Sequence, residues 1–119
     1  YNMSVTMYEN SVKRKKDEIA RLKKERVRYV NTVSDCSKKI LNATKQASST
    51  KSSSTYKSKI NEIAIENKKK TDAEKKITEC DKKITNKENE LLREEQKLNK
   101  AKEMEYQKLE KQRKLTNQN

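Results

Sequence analysis

Two kinds of residue in this chain could do chemistry. They are the thiols Cys36 and Cys80, and a belt of bases made of Lys13, Arg14, Lys15, Lys16, Arg21, Lys23, Lys24, Arg26 and Arg28. Such a belt suits a polyanion, nucleic acid or anionic lipid. The charge is unevenly spread: residues 1–59 carry 15 basic and 5 acidic side chains, a balance of +10, and residues 60–119 carry 16 and 13, a balance of +3. Lys13, Arg14, Lys16, Lys23 and Lys24 make the candidate anion-binding face. The bases nevertheless run nearly all round a helix, no aromatic stacking platform is interleaved, and no nucleic-acid-binding motif appears, so the expectation is a solvated basic face.

The thiols have no histidine and no second ligand cluster beside them, which argues against a metal site and for buried structural cysteines. Asn42-Ala43-Thr44 matches a glycosylation acceptor, but inside an expected helix of a reduced protein it is read as unused. With no histidine as general base and no glycine for a phosphate loop or an oxyanion turn, these residues are not expected to form an enzyme site or to hold a cofactor.

The elements that position these residues follow from what the chain lacks. It has no glycine, proline, tryptophan or phenylalanine, and 41% of it is charged. Nothing local forbids very long helices. Leu, Ile, Val and Phe supply only 19 of 119 residues, a share at which disorder is suspected. Spacing overturns that suspicion. From residue 8 to 47 one seam position reads Tyr8, Lys15, Leu22, Tyr29, Cys36, Ala43 and its partner reads Val12, Ile19, Arg26, Val33, Ile40, Ala47, so ten of twelve are apolar or amphipathic. Ile63, Lys70, Ile77, Ile84, Leu91 and Leu98 then recur seven apart, with Ala73, Cys80, Lys87, Glu94 and Ala101 at the second position. These are coiled-coil seams.

Ser48-Ser49-Thr50-Lys51-Ser52-Ser53-Ser54-Thr55 lies between them. Its hydroxyls compete for backbone hydrogen bonds, which ends one helix and caps the next, with Ser52 as the N-cap. The reading is all-α: a long antiparallel hairpin with helix 1 over 8–48, a turn over 49–54 and a longer helix 2 over 55–117, associating into a dimer or larger bundle. One continuous helix is the alternative. Residues 1–7 are a tag remnant and lead-in, with Met3 or Met7 as a natural start. With the turn centred on Lys51, position 8 lies opposite a residue near 95. Leu98, Ala101, Met104, Leu109 and Leu115 would then overhang. Cys36 would face a residue near 67, about 20 Å along the rod from Cys80, too far for a disulfide. Four pairs at four-residue spacing, Glu66 with Lys70, Asp72 with Lys76, Glu79 with Lys83 and Glu110 with Lys114, are expected to support the second helix.

The stretches Ile40-Leu41-Asn42, Ser49 to Ile63, Asp81-Lys82-Lys83-Ile84 and Lys87-Glu88 resemble the N-terminal coiled-coil region of bacterial TIR-domain proteins. The specific part is Ser49 to Ile63, where a Ser-rich turn is followed by Lys57-Ser58-Lys59 at a helix start. Family members carry proline where Ser53 stands. The resemblance implies an assembly module preceding an NAD-cleaving TIR domain outside this chain, in bacterial defence or virulence. Abundant Lys, Asn and Ile point the same way, to an AT-rich bacterial genome.

The function expected is therefore oligomerisation, as a homodimer or homotetramer, that brings together a C-terminal effector domain. Leu22, Tyr29, Val33, Ile40, Ile63, Ile77, Ile84, Leu91 and Leu98 are the seam and oligomerisation residues. The rival is a free-standing basic protein that binds nucleic acid. A small helical secretion partner is disfavoured, because the Trp-x-Gly turn of such dimers is missing. No apolar run is long enough for a membrane span, no signal-peptide pattern opens the chain, and a cytoplasmic protein is expected.

Overall fold

The computed structural model describes residues 4–118. It is a helical hairpin of α1 (Val5–Ser49, 45 residues) and the longer α2 (Ser53–Asn117, 65 residues), with no strand among the described residues. The single-helix alternative is thereby excluded. Of the tag remnant and lead-in expected over residues 1–7, residues 1–3 lie outside the described residues.

Each helix start has a hydroxyl cap. Ser4 Oγ accepts from the Met7 N–H at 3.2 Å, so α1 begins at Val5 rather than at the expected residue 8. Ser52 Oγ accepts from the Thr55 N–H at 3.2 Å, as expected of its N-cap, and α2 begins at Ser53 rather than at 55. One orphan amide of the first turn is satisfied in each case. At the other end of α1, Ser48 Oγ donates to the Thr44 carbonyl at 2.9 Å and Ser49 Oγ to the Lys45 carbonyl at 3.1 Å. The link over residues 50–52 is closed by the Ser52 N–H donating to Thr50 Oγ1 at 3.1 Å. No described residue takes a positive φ, so the chain reverses without the conformation that glycine would supply.

The chain divides into two compact units. The turn unit is Leu22–Lys83, and the terminal unit is Tyr1–Arg21 with Ile84–Asn119. In each, a stretch of α1 packs antiparallel on a stretch of α2. The turn unit buries Cys36, Ala43, Ala47, Ala73 and Cys80, whereas the terminal unit buries Val12, Ile19 and Ile84. Among the described residues no helix is long and apolar enough to cross a membrane.

Candidate functional site

Heptad spacing and burial together fix which side of each helix faces what. In the turn unit Leu22, Tyr29, Val33, Ile40, Ile63 and Ile77 are half-buried along the seam between the two helices. In the terminal unit Ile84 is buried, and Leu91 and Leu98 are half-buried. All nine residues expected to serve seam and oligomerisation thus line the hairpin's own seam.

Polar groups complete both seams. In the turn unit Glu66 is 6% exposed, one heptad ahead of Ala73, with Oε1 3.6 Å from Lys69 Nζ. Across the seam the Cys36 thiol holds this carboxyl below the ordinary glutamate value, aided by Lys69 and Lys39 and opposed by burial. The S–H contact is weak and falls short of full hydrogen-bond geometry, so Glu66 Oε2 is buried without a hydrogen-bond partner. Burial first, and then Glu66, push the Cys36 thiol up; burial and then Glu25 do the same for Cys80. Both cysteines are free and buried, which leaves them as inert thiols. Arg26, a seam position, bonds Asp81 through Nε at 2.6 Å.

The terminal unit carries a polar ladder beside its seam. Ser11 Oγ donates to Glu94 at 3.0 Å, Lys15 Nζ reaches Glu90 at 3.3 Å, and Lys87 Nζ lies 3.0 Å from Glu18 and 3.2 Å from Glu90. Lys87 is the first cause holding both Glu18 and Glu90 below their ordinary value. Glu18 and Glu90 in turn raise Lys87.

Three expectations are corrected. Ser11 reaches Glu94, and Tyr8 lines one open groove with Lys97, Ala101 and Met104. Leu98 and Ala101 are half-buried within the unit rather than overhanging, because α1 begins a turn earlier than expected. Met104, Leu109 and Leu115 do remain exposed. Nor do the four pairs at four-residue spacing form among the described residues. Glu66 meets Lys69, Glu79 meets Lys76 and Glu110 meets Arg113, all at three-residue spacing. The third correction is Glu66 itself, expected to support α2 beside Lys70 and found buried in the seam.

The candidate anion-binding residues are all exposed: Lys13, Arg14 and Lys16 in the terminal unit, Lys23 and Lys24 in the turn unit. No three His, Cys, Asp or Glu side chains among the described residues are grouped to hold a metal ion.

Another surface is missing from the sequence reading. Beside the seam, the turn unit has two broad sides of opposite character. One carries Glu25, Arg28, Asp35 and Lys39 from α1 with Lys69, Asp72, Lys76 and Glu79 from α2. The other carries Val27, Val30, Ser34, Ser37, Leu41, Thr44 and Ser48 from α1, about 32 Å of helix without a charge at these two heptad positions. Ile60, Ala64, Asn67 and Thr71 of α2 lie on the same side, as the Arg26–Asp81 bond confirms by joining the two helices there. Val27, Val30, Leu41 and Ile60 are 56%, 39%, 54% and 45% exposed. The signal that could have found this side is an absence of charge rather than a presence of apolar residues.

No family model matches the chain, and no curated protein or solved structure matches it at a significant level.

Proposed function

We propose that this chain is an assembly module: a helical hairpin that self-associates into a dimer or tetramer and so brings together an effector domain joined to it. One observation carries the reading. Among the described residues twelve large apolar side chains are exposed, whereas the buried apolar side chains include only three larger than alanine or cysteine, namely Val12, Ile19 and Ile84. A folded chain that hides so little apolar surface gains most by hiding it against another chain. The inert thiols are locked in the seam, and the carboxylates with lowered pKa values are paired to lysines rather than poised as acids.

For the effector we carry forward the likeness of Ser49 to Ile63 to bacterial TIR-domain proteins. A cytoplasmic NAD-cleaving TIR domain following this segment would be brought together by it, in a bacterial defence or virulence setting. Molar mass by size exclusion with light scattering tests the assembly reading. A dimer or tetramer at micromolar concentration is the expected result, and a monomer throughout would remove it. Nucleic acid would replace it as the partner if binding were tight, weakened steeply with salt, and lost that salt slope on neutralising Lys13 to Lys16.

A further inference from the structure

We infer that the side of the turn unit on which α1 carries no charge is where a second copy of this chain docks, antiparallel, about a two-fold axis at the level of Cys36 and Glu66. This rests on the assembly reading above and assigns its interface.

The chain has a formal charge of +13, so most approaches of one copy to another are repulsive. The side bearing Val27, Val30, Leu41 and Ile60 is the long stretch of the turn unit where α1 presents no charge to a facing helix. Two of its hydroxyls are already spoken for: Thr44 Oγ1 donates to the Ile40 carbonyl at 2.7 Å and Ser48 Oγ to the Thr44 carbonyl at 2.9 Å, both within α1. Burying these two costs no donor.

The pattern on this side is self-complementary when one copy is turned end for end. On α2, Lys57 meets the other copy's Glu74, Ile60 meets Thr71 and Ala64 meets Asn67, a register whose centre falls between residues 64 and 67. On α1, Val30 meets Leu41, Val27 meets Thr44 and Ser34 meets Ser37, with the centre between residues 34 and 37. Each helix thus names its own centre independently. The hairpin places those centres at one level, because Cys36 faces Glu66 across the seam. Four short residues, Ser34, Ser37, Ala64 and Asn67, lie at the centre, where two helix pairs approach most closely, and the apolar pairs flank them. The parallel arrangement lacks this fit. It sets α1 against the other copy's α2 at equal height, which brings Glu74 toward the valine end of α1 and leaves Lys57 without an acidic partner.

The rims of this side are basic, with Lys38 and Lys45 on α1 and Lys68 and Lys75 on α2. Two copies therefore repel at their edges while attracting at their centre, and the dimer tightens as salt is added. Binding to a polyanion would run the other way.

The test uses the whole chain. Light scattering across a concentration series should give a dimer that is favoured by raising the salt. Leu41→Glu should weaken it about 100-fold, since a carboxylate would be buried against Val30 in each half. Leu41 is exposed in the single chain, so helicity by circular dichroism should be kept. Lys57→Glu should weaken the dimer by a smaller factor, about 5-fold, and Lys57→Glu with Glu74→Lys should restore it. Ser34→Cys combined with Ser37→Cys, which the register sets opposite each other, should give a disulfide-linked dimer under mild oxidation, and Asn42→Cys on the charged side should not. If the chain is a dimer but Leu41→Glu keeps its mass and the Ser34→Cys, Ser37→Cys pair does not link, this interface is wrong while the assembly reading stands. A monomer at every concentration and salt overturns both.

Discussion

The terminal and turn units pack the same two helices by different means. The terminal unit buries Val12, Ile19 and Ile84 and flanks them with Ser11, Lys15, Glu18, Lys87, Glu90 and Glu94 in a cross-helix ladder. The turn unit buries alanines and cysteines, has one cross-helix ion pair among its described residues, Arg26 with Asp81, and admits Glu66 into its seam. Helix spacing follows the side chains at the contact. Branched residues make a seam with an apolar centre and room for long polar arms beside it, and small residues make one that depends on fit. The fully buried side chains of the turn unit are the smaller ones, and the exposed side bearing Val27, Val30, Leu41 and Ile60, where α1 carries no charge, lies on that unit.

Volume changes at the two cores separate these modes most sharply, and they are expected to give the largest effects. Ile84→Ala in the terminal unit should cost about 2–4 kcal/mol in urea unfolding, because it removes one of three large buried side chains. Ala43 in the turn unit is 1% exposed. Ala43→Leu should therefore cost about 1–3 kcal/mol through overpacking. If Ala43→Leu were stabilising, the turn unit would have slack in its seam, and the contrast between the units would fall. Protein concentration must be held fixed throughout, since self-association adds to apparent stability.

Much of this contrast was legible in the residues themselves. Heptad spacing marked the seam even where it carried a charge: Lys15 and Arg26 stand at seam positions, are half-buried, and each finds an acid on α2. The Ser52 cap could be read because serine has one strong local use there. Three things could not be read in the same way. Glu66 was assigned by its charge to a pair with Lys70, and only its spacing from Ala73 betrayed it. Ion pairs within α2 could not be chosen between three- and four-residue spacing, because Lys side chains reach both and the difference in free energy is small. The start of α1 turned on one hydrogen bond from Ser4, ahead of any apolar periodicity. The side bearing Val27 and Leu41 was hidden for another reason, since a search for apolar heptads passes over positions whose message is that charge is missing.

Acid should probe the same contrast with a smaller effect. Glu66, Glu18 and Glu90 all have pKa values lowered on folding from the ordinary 4.5. The stability they contribute is fully present above about pH 4.5 and is lost as pH falls through their folded values. Both units should therefore loosen in acid, measured as a falling thermal midpoint below pH 4.5. Glu66→Gln should make that fall shallower by removing the turn unit's share. If the profile were unchanged, the Cys36–Glu66 contact would hold no charge in place, and the acid response would belong to the terminal ladder alone.

The ion pairs should give the smallest effect, and they sharpen the comparison through its salt dependence. Arg26 and Asp81 are 41% and 52% exposed, and Glu18 and Lys87 are 31% and 33% exposed, so water and salt screen both pairs. A double-mutant cycle on each, Arg26→Ala with Asp81→Ala and Glu18→Ala with Lys87→Ala, should give couplings smaller than either core substitution. The terminal coupling should be the larger, because Lys87 also holds Glu90, which in turn holds Lys15. Removing Lys87 breaks a chain of contacts, whereas removing Arg26 breaks one. Raising the salt should shrink both couplings while the Leu41-dependent dimer tightens. A terminal coupling no larger than that of the isolated pair would mean that the ladder is a row of separate contacts. The two units would then differ in their cores and not in how their charges cooperate.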